Sequence, residues 1–341
     1  MDERKSGVLP DHALNQAARN GVITLASPLE GDQVQPASLD LRLGSQAFRI
    51  RASFLPGKRR TVEEMLKVNG TLLHDFPLTQ VGCVLETGCV YLVPLQEGLD
   101  LPSDIIGRSN PKSSTGRIDV FTRVVTDHSA AFDEVIPGYT GRLWLEISPR
   151  TFPILVRPGD RLAQLRLKRG ELPVWREQTV SIDLDKPSGT PIGWRAKRHG
   201  GLIDLRAIRG HAAQVFWEPL YAEAGQLVLD PEEFYILASQ ENVEIAASEA
   251  AEMAPIAPEL GEFRAHYAGF FDPGFGTNAG GSRAVLEVRS RDVPFILEHG
   301  QPVAKLIFEP LISAPANLYG GPANNYQGQG LKLSKHFESD I

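Results

Sequence analysis

Glu287 has the most chemistry to offer. It sits in Ala284-Val285-Leu286-Glu287-Val288, an apolar, strand-like run. Turned inward, its carboxyl would lose hydration, its pKa would rise, and it could relay protons near neutral pH. Turned outward, with Ala284, Leu286 and Val288 on the other face, it is an ordinary strand carboxylate. Glu146 occupies a matching run, Leu143-Trp144-Leu145-Glu146. Cations suited to an oxyanion stand at Arg108 and Lys112, within Gly107-Arg108-Ser109-Asn110-Pro111-Lys112-Ser113-Ser114. Arg108 can make paired contacts and Lys112 acts as a point charge; two plain surface charges are the alternative. Asp272 precedes Pro273-Gly274, where it is either a turn starter or an acceptor for a ligand. Tyr319, Tyr326 and Gln329 lie in a Gly-rich tail that could close over a ligand or simply fray.

These residues belong to a chain built twice. Arg142-Leu143-Trp144-Leu145-Glu146 answers Arg283-Ala284-Val285-Leu286-Glu287, and Leu162-Ala163 answers Val303-Ala304. The offset, 283 − 142 or 304 − 163, is 141 in both cases. Pro137-Gly138-Tyr139 answers Pro273-Gly274-Phe275, Tyr91 answers Tyr235, and Leu202 to Gly210 echoes Leu39 to Gly44. The expected division is a first repeat over 1–170, a linker rich in Pro, Gly and basic residues over 171–199, and a second repeat with a tail over 200–341. Leu39, Leu41 and Leu43 alternate with Asp40 and Arg42, the period of a half-buried strand. A helix is expected from Pro10-Asp11, capped by Asp11 and ended before Gly21. A second follows the capping box Thr61-Val62-Glu63-Glu64, inside an insertion over 51–77. Many short strands, 32 Gly and 25 Pro argue a mainly β fold with a jelly roll or β-barrel in each repeat and a few short helices.

Composition narrows the partners. A net charge of −7 carries no footprint for duplex nucleic acid, although a local cationic pocket could still hold a phosphorylated small molecule. Cys83 and Cys89 cannot make a disulfide framework, and their spacing is not that of a metal site. Neither an apolar leader nor a membrane-length apolar run is present. A soluble, cytoplasmic protein without a membrane partner is expected.

Taken together, the residues resemble the superfamily of dUTPases and dCTP deaminases. Arg108-Ser109 with Lys112 looks like its phosphate motif, Phe271-Asp272-Pro273-Gly274-Phe275 its nucleoside hairpin, and Val285-Leu286-Glu287 the catalytic segment of the deaminases. Phe308-Glu309-Pro310-Leu311, Tyr319 and the stretch from Tyr326 to Gly330 look like the deaminase C-terminus. The likeness covers nearly the whole chain and is closest to a long, tandem form of dCTP deaminase with two dUTPase-like repeats. It implies zinc-free hydrolysis of dCTP to dUTP and ammonia, with Glu287 as the proton relay and Glu146 as the alternative in repeat one. Ser109 and carbonyls near Ala268 would hold the water. Arg108, Asn110 and Lys112 would bind phosphates, Asp272 the sugar 3′-hydroxyl, and Phe275 and Val285 the nucleoside. Tyr319, Tyr326 and Gln329 would close over it. Mg²⁺ would arrive on the triphosphate, dTTP could inhibit, and a homo-oligomer is expected, since single-repeat relatives form trimers. A zinc deaminase would need a His or Cys ligand beside a Glu and then Pro-Cys-x-x-Cys, which this chain lacks.

Departures from the pattern are complementary. The second cation of the motif is Lys112 rather than arginine, and the spacing reads as one residue inserted around Ser113-Ser114. Repeat one has Ile136 in place of the hairpin aspartate and lacks the tail, while repeat two lacks the phosphate motif and has Glu259 and Glu262 there. Family pockets lie between subunits, so one composite site per chain is expected. The competing expectations are a dUTP diphosphatase, a bifunctional enzyme, or a non-catalytic nucleotide-binding scaffold.

Overall fold

Alternating segments pair into the same set of sheets twice over. The computed structural model describes residues 6–170, 175–256, 263–266, 269–277, 280–290, 292–321 and 326–338. In repeat one, a six-stranded sheet runs in the order β11 (Glu134–Val135), β9 (Ile105–Pro111), β14 (Arg161–Arg169), β4 (Ser38–Arg42), β3 (Val34–Gln35), with β1 (Gly7–Val8) also on β14. A second sheet of six runs β10 (Val120–Thr126), β12 (Thr140–Pro149), β8 (Val90–Asp100), β5 (Gln46–Ile50), β6 (Leu72–Pro77), with β2 (Ile23–Leu25) on β8. Leu39, Leu41 and Leu165 of the first sheet and Val93, Leu143 and Leu145 of the second fill one core, giving a sandwich. A small sheet joins β7 (Cys83–Leu85), β13 (Ile154–Val156) and β17 (Ile203–Asp204).

Repeat two reproduces the central strands of both sheets in the same order; among the described residues β1, β2 and β3 have no counterpart there. Its first sheet is β15 (Arg176–Ser181), β26 (Pro302–Pro310), β21 (Glu249–Pro255), β23 (Phe270–Phe271), matching β4, β14, β9 and β11. Its second is β18 (Trp217–Leu220), β16 (Gly193–Ala196), β20 (Tyr235–Val243), β24 (Ser282–Ser290), β22 (Phe263–His266), matching β6, β5, β8, β12 and β10. The pair β19 (Gln226–Leu229) and β25 (Phe295–Glu298) completes it.

Several expectations need correcting. Residues 171–199 are not a linker, because β15 and β16 are integral strands of repeat two. The stretch from Leu202 to Gly210 does not take the place of β4; its β17 lies parallel to β13 of repeat one. Nor is β4 half-buried. Asp40 and Arg42 are as buried as the leucines between them, because Arg42 is satisfied by Glu97 at 2.7 Å and the carbonyls of Pro28 and Ser27, and Asp40 by Lys112 and Gln164. Helix α1 (Asp11–Arg19) has Pro10 as its N-cap. The Asp11 carboxylate instead accepts from the backbone N–H groups of Ala316 and Asn317. The capping box does form at α2 (Val62–Lys67), and Val62 and Leu66 carry the insertion onto Ile50, Leu92, Val125 and Trp144. Cys83 and Cys89 are free thiols.

Candidate active site

Between the repeats opens a cavity of about 440 Å³ with a wall drawn from both. On the repeat-one side, β9 ends at Pro111 and the chain turns through Lys112, the N-cap of α3 (Ser113–Gly116). Lys112, Ser113, Ser114, Thr115 and Arg117 line the cavity. Repeat two supplies Asp272 and Phe275 from the hairpin after β23, Val285 and Glu287 from β24, and Tyr319, Tyr326 and Gln329 from the tail.

Glu287 faces inward and is 4% exposed. Burial pushes its carboxyl up to about 8, with the Arg117 guanidinium and its own backbone pulling the other way. Arg117 comes from the other repeat. Its Nε lies 3.8 Å from Glu287 Oε1, too far for a hydrogen bond, and has no hydrogen-bond partner among the described residues. The guanidinium is held by Lys332 O at 3.0 Å and lies 4.0 Å above the Tyr326 ring. The pair is thus close, buried and unjoined, with room for a reacting group to complete it.

Hairpin and tail are keyed together. Gly274 has φ 94°, and a Cβ there would come within 2.8 Å of Leu318 Cβ and 2.9 Å of Tyr319 N. Tyr319 N–H donates to Pro273 O at 2.7 Å, and Phe275 packs between the Phe271 and Tyr319 rings. Gln329 Nε2 donates to Arg283 O, while its buried Oε1 has no hydrogen-bond partner among the described residues. Further along, Ser334 Oγ donates to Ser114 O at 2.8 Å, and Phe337 sits against His211, Phe216 and Trp217. Residues 326–338 are therefore packed onto the cavity, not frayed.

At the other end Lys112, Arg161, Arg206 and Lys335 line the cavity together with the carboxylates of Glu30, Asp32, Asp40 and Asp160. Three of the cations rest on these carboxylates: Lys112 on Asp40, Arg161 on Glu30 and Asp32, Arg206 on Asp160.

Of the residues singled out in the sequence, the structure brings Lys112, Asp272, Phe275, Val285, Glu287, Tyr319, Tyr326 and Gln329 together. Arg108, Ser109 and Asn110 lie outside the cavity, because they are still within β9. Arg108 pairs with Glu134 and Glu252, Ser109 Oγ donates to Gln164 O at 3.0 Å, and Asn110 Nδ2 to Glu252 at 3.1 Å. Ala268 falls outside the described residues. Glu146 is 2% exposed but faces Arg123, whose Nε donates to it at 3.0 Å, and not the cavity. Arg123 is in turn covered by the Phe132 ring at 3.8 Å and donates to Ser53 Oγ of the insertion.

The residue the sequence reading missed is Arg117. A signal for it existed. Read from Lys112, four positions after Arg108 (112 − 108), Lys112-Ser113-Ser114 followed by Arg117 keeps the order cation, two small residues, second cation, and the apparent insertion disappears.

Comparison with known proteins agrees over the whole length. Models of the N-terminal and C-terminal domains of 2′-deoxycytidine 5′-triphosphate deaminase match residues 5–171 and 160–337. A protein of Thermobifida fusca named dCTP deaminase, dUMP-forming, is 33% identical over 159 residues, 46% of this chain and 76% of that one. One of the same name from Parafrankia is 32% identical over 204 residues, 59% of this chain and 91% of its own. The crystal structure of 2′-deoxycytidine 5′-triphosphate deaminase from Agrobacterium tumefaciens superposes with a TM-score of 0.86 at 50% identity, covering 92% of this chain and all of that one. A duplicated sandwich with one cavity between its halves, matched along both halves, leaves one conclusion: the chain belongs to the dCTP deaminase family.

Proposed function

We propose that the protein hydrolyses dCTP to dUTP and ammonia at this one composite cavity. The observation that carries the reading is Glu287, buried with its carboxyl pushed up to about 8 and facing Arg117 of the other repeat. At neutral pH such a carboxyl begins protonated. It gives its proton to N3 of the cytosine while water adds to C4, and takes a proton from that water. It passes this second proton to the amino group, ammonia leaves, and the C4 hydroxyl returns a proton as the carbonyl forms. The two protons gained by N3 and by ammonia are the two lost by water. Arg117 Nε has no competing hydrogen-bond partner among the described residues and can hold the carboxylate formed between transfers. Ser109 cannot position the water, being engaged on Gln164 O outside the cavity.

Lys112, Arg161, Arg206 and Lys335 form the phosphate end of the reading. Mg²⁺ fits there as a passenger on the triphosphate, whose charge it would offset; Asp32, Asp40 and Asp160 are already engaged by cations. An inhibitory dTTP would compete for the same cavity, and assembly into a homo-oligomer belongs to the same proposal.

A second reading is favoured by the names of the relatives: the same site would also split the triphosphate, so that dUMP leaves. The test of both is ammonia and pyrophosphate release from dCTP with Mg²⁺, for the parent, Glu287→Gln and Glu146→Gln. Loss of ammonia by about 100-fold or more in Glu287→Gln alone is expected. Loss confined to Glu146→Gln overturns the composite site, and pyrophosphate appearing with ammonia establishes the second reading.

A further inference from the structure

Arg166 lies in the middle of β14, in repeat one, and is fully buried. A buried guanidinium persists only where its donors are engaged. Here Nε donates to Ala37 O at 3.3 Å and Nη1 to Ala251 O at 3.1 Å. Nη2 reaches Phe271 O at 3.4 Å and Asp272 Oδ1 at 3.1 Å, and the plane lies 4.0 Å over the Phe270 ring. Every partner but Ala37 belongs to repeat two. The fork therefore holds the residue before Asp272 and the Asp272 carboxylate together, and Ser38 Oγ steadies the second oxygen at 3.4 Å. Asp272 lines the cavity, and its oxygens retain lone pairs beyond these bonds.

The duplication supplies an internal control. The 141-residue offset places Ile307 opposite Arg166, and the hairpin alignment places Ile136 opposite Asp272. Cation and acid occur together where the halves form the cavity. In the reverse combination of halves both are isoleucine.

We propose that Arg166 is a positioning residue for sugar recognition: from across the repeat boundary it fixes the Asp272 carboxylate in the orientation that meets the 3′-hydroxyl of the deoxynucleotide. This rests on the functional reading above and adds a residue outside the cavity wall, through which repeat one acts on the sugar as well as on the phosphates.

The test compares dCTP with 2′,3′-dideoxycytidine triphosphate, which lacks the hydroxyl, as substrates of the parent, Arg166→Met, Arg166→Lys and Asp272→Asn. The readout is the ratio of the two kcat/KM values within one preparation, which does not depend on the fraction folded. Asp272→Asn is expected to lower the preference for dCTP about tenfold or more, the size of a lost charge-assisted hydrogen bond. Arg166→Met should lower it comparably, Arg166→Lys less, and Arg166→Met should add nothing once Asp272→Asn is present. If Arg166→Met weakens both substrates equally while Asp272→Asn discriminates, Arg166 is scaffold only and the proposal is overturned. If Asp272→Asn does not discriminate, the sugar contact itself is wrong and the proposal falls with it. Absence of ammonia release from dCTP by the parent would instead remove the functional reading.

Discussion

Glu287 is a residue that function keeps at the expense of the fold. Its carboxyl titrates at about 8 in the folded chain against 4.5 for an ordinary glutamate. The folded state thus holds a proton that the unfolded state gives up between those values. The stability tied to that proton is fully present below pH 4.5 and is lost as pH rises through about 8. Glu287→Gln removes the titration. At pH 9 the variant should be more stable than the parent by an amount on the order of a few kcal/mol, with the gap closing towards pH 4; thermal melts of both across that range measure it. A gap independent of pH would mean that Glu287 does not titrate as described. On the proposed role of Glu287 as proton relay, kcat/KM should fall as pH passes about 8. In the sequence this residue was legible through the resemblance of Val285-Leu286-Glu287 to the deaminases' catalytic segment, because the apolar run alone suited an outward strand carboxylate equally well. Arg117 was missed because the motif was read from Arg108, and only the course of β9, which carries Arg108 away from the cavity, shows that it starts at Lys112.

At the scale of elements, the boundary between β9 and α3 decides which cations count. Arg108, still in the strand, points at Glu134 and Glu252; Lys112 and Arg117, on either side of the short helix, reach the cavity. Arg108→Met should leave kcat/KM for dCTP within about twofold, as exposed ion pairs contribute little. Lys112→Met should raise KM, and Arg117→Met should lower kcat by about 100-fold or more, the scale of a lost charge-stabilising donor. Steady-state kinetics of the three variants would check this, and an Arg108→Met defect as large as that of Lys112→Met would put the phosphates back on β9. Elements with strong local signals were readable: the Thr61 capping box and the alternating leucines of β4. The strands β15 and β16 were not. Arg176 to Ser181 is polar and mostly exposed, and it is a strand because β26 offers it an edge, not because of its own pattern.

In the whole molecule the core of repeat one extends into repeat two, which keeps a second core cluster of its own. Phe152 and Ile154 of repeat one pack with Phe216, Trp217 and Phe337 of repeat two, and the ion pair Asp119–Arg289 crosses the same boundary. Such continuity predicts one calorimetric unfolding transition rather than two; two resolved transitions would show that the halves fold independently. The duplication itself was legible from the constant offset, whereas the shared core was not, because its residues come from segments far apart in the chain. The stretch from Lys197 to His211, a connection inside repeat two between β16 and β18, reaches across to repeat one along this core. It lies parallel to β13, presents Leu205 and Arg206 to the cavity, and binds the tail through Arg209 and Gly210. A surface loop can usually be lengthened or shortened with little effect. This one is a wall of the pocket and a latch for its cover, so an insertion there would disturb the site from a position far from Glu287 in the chain.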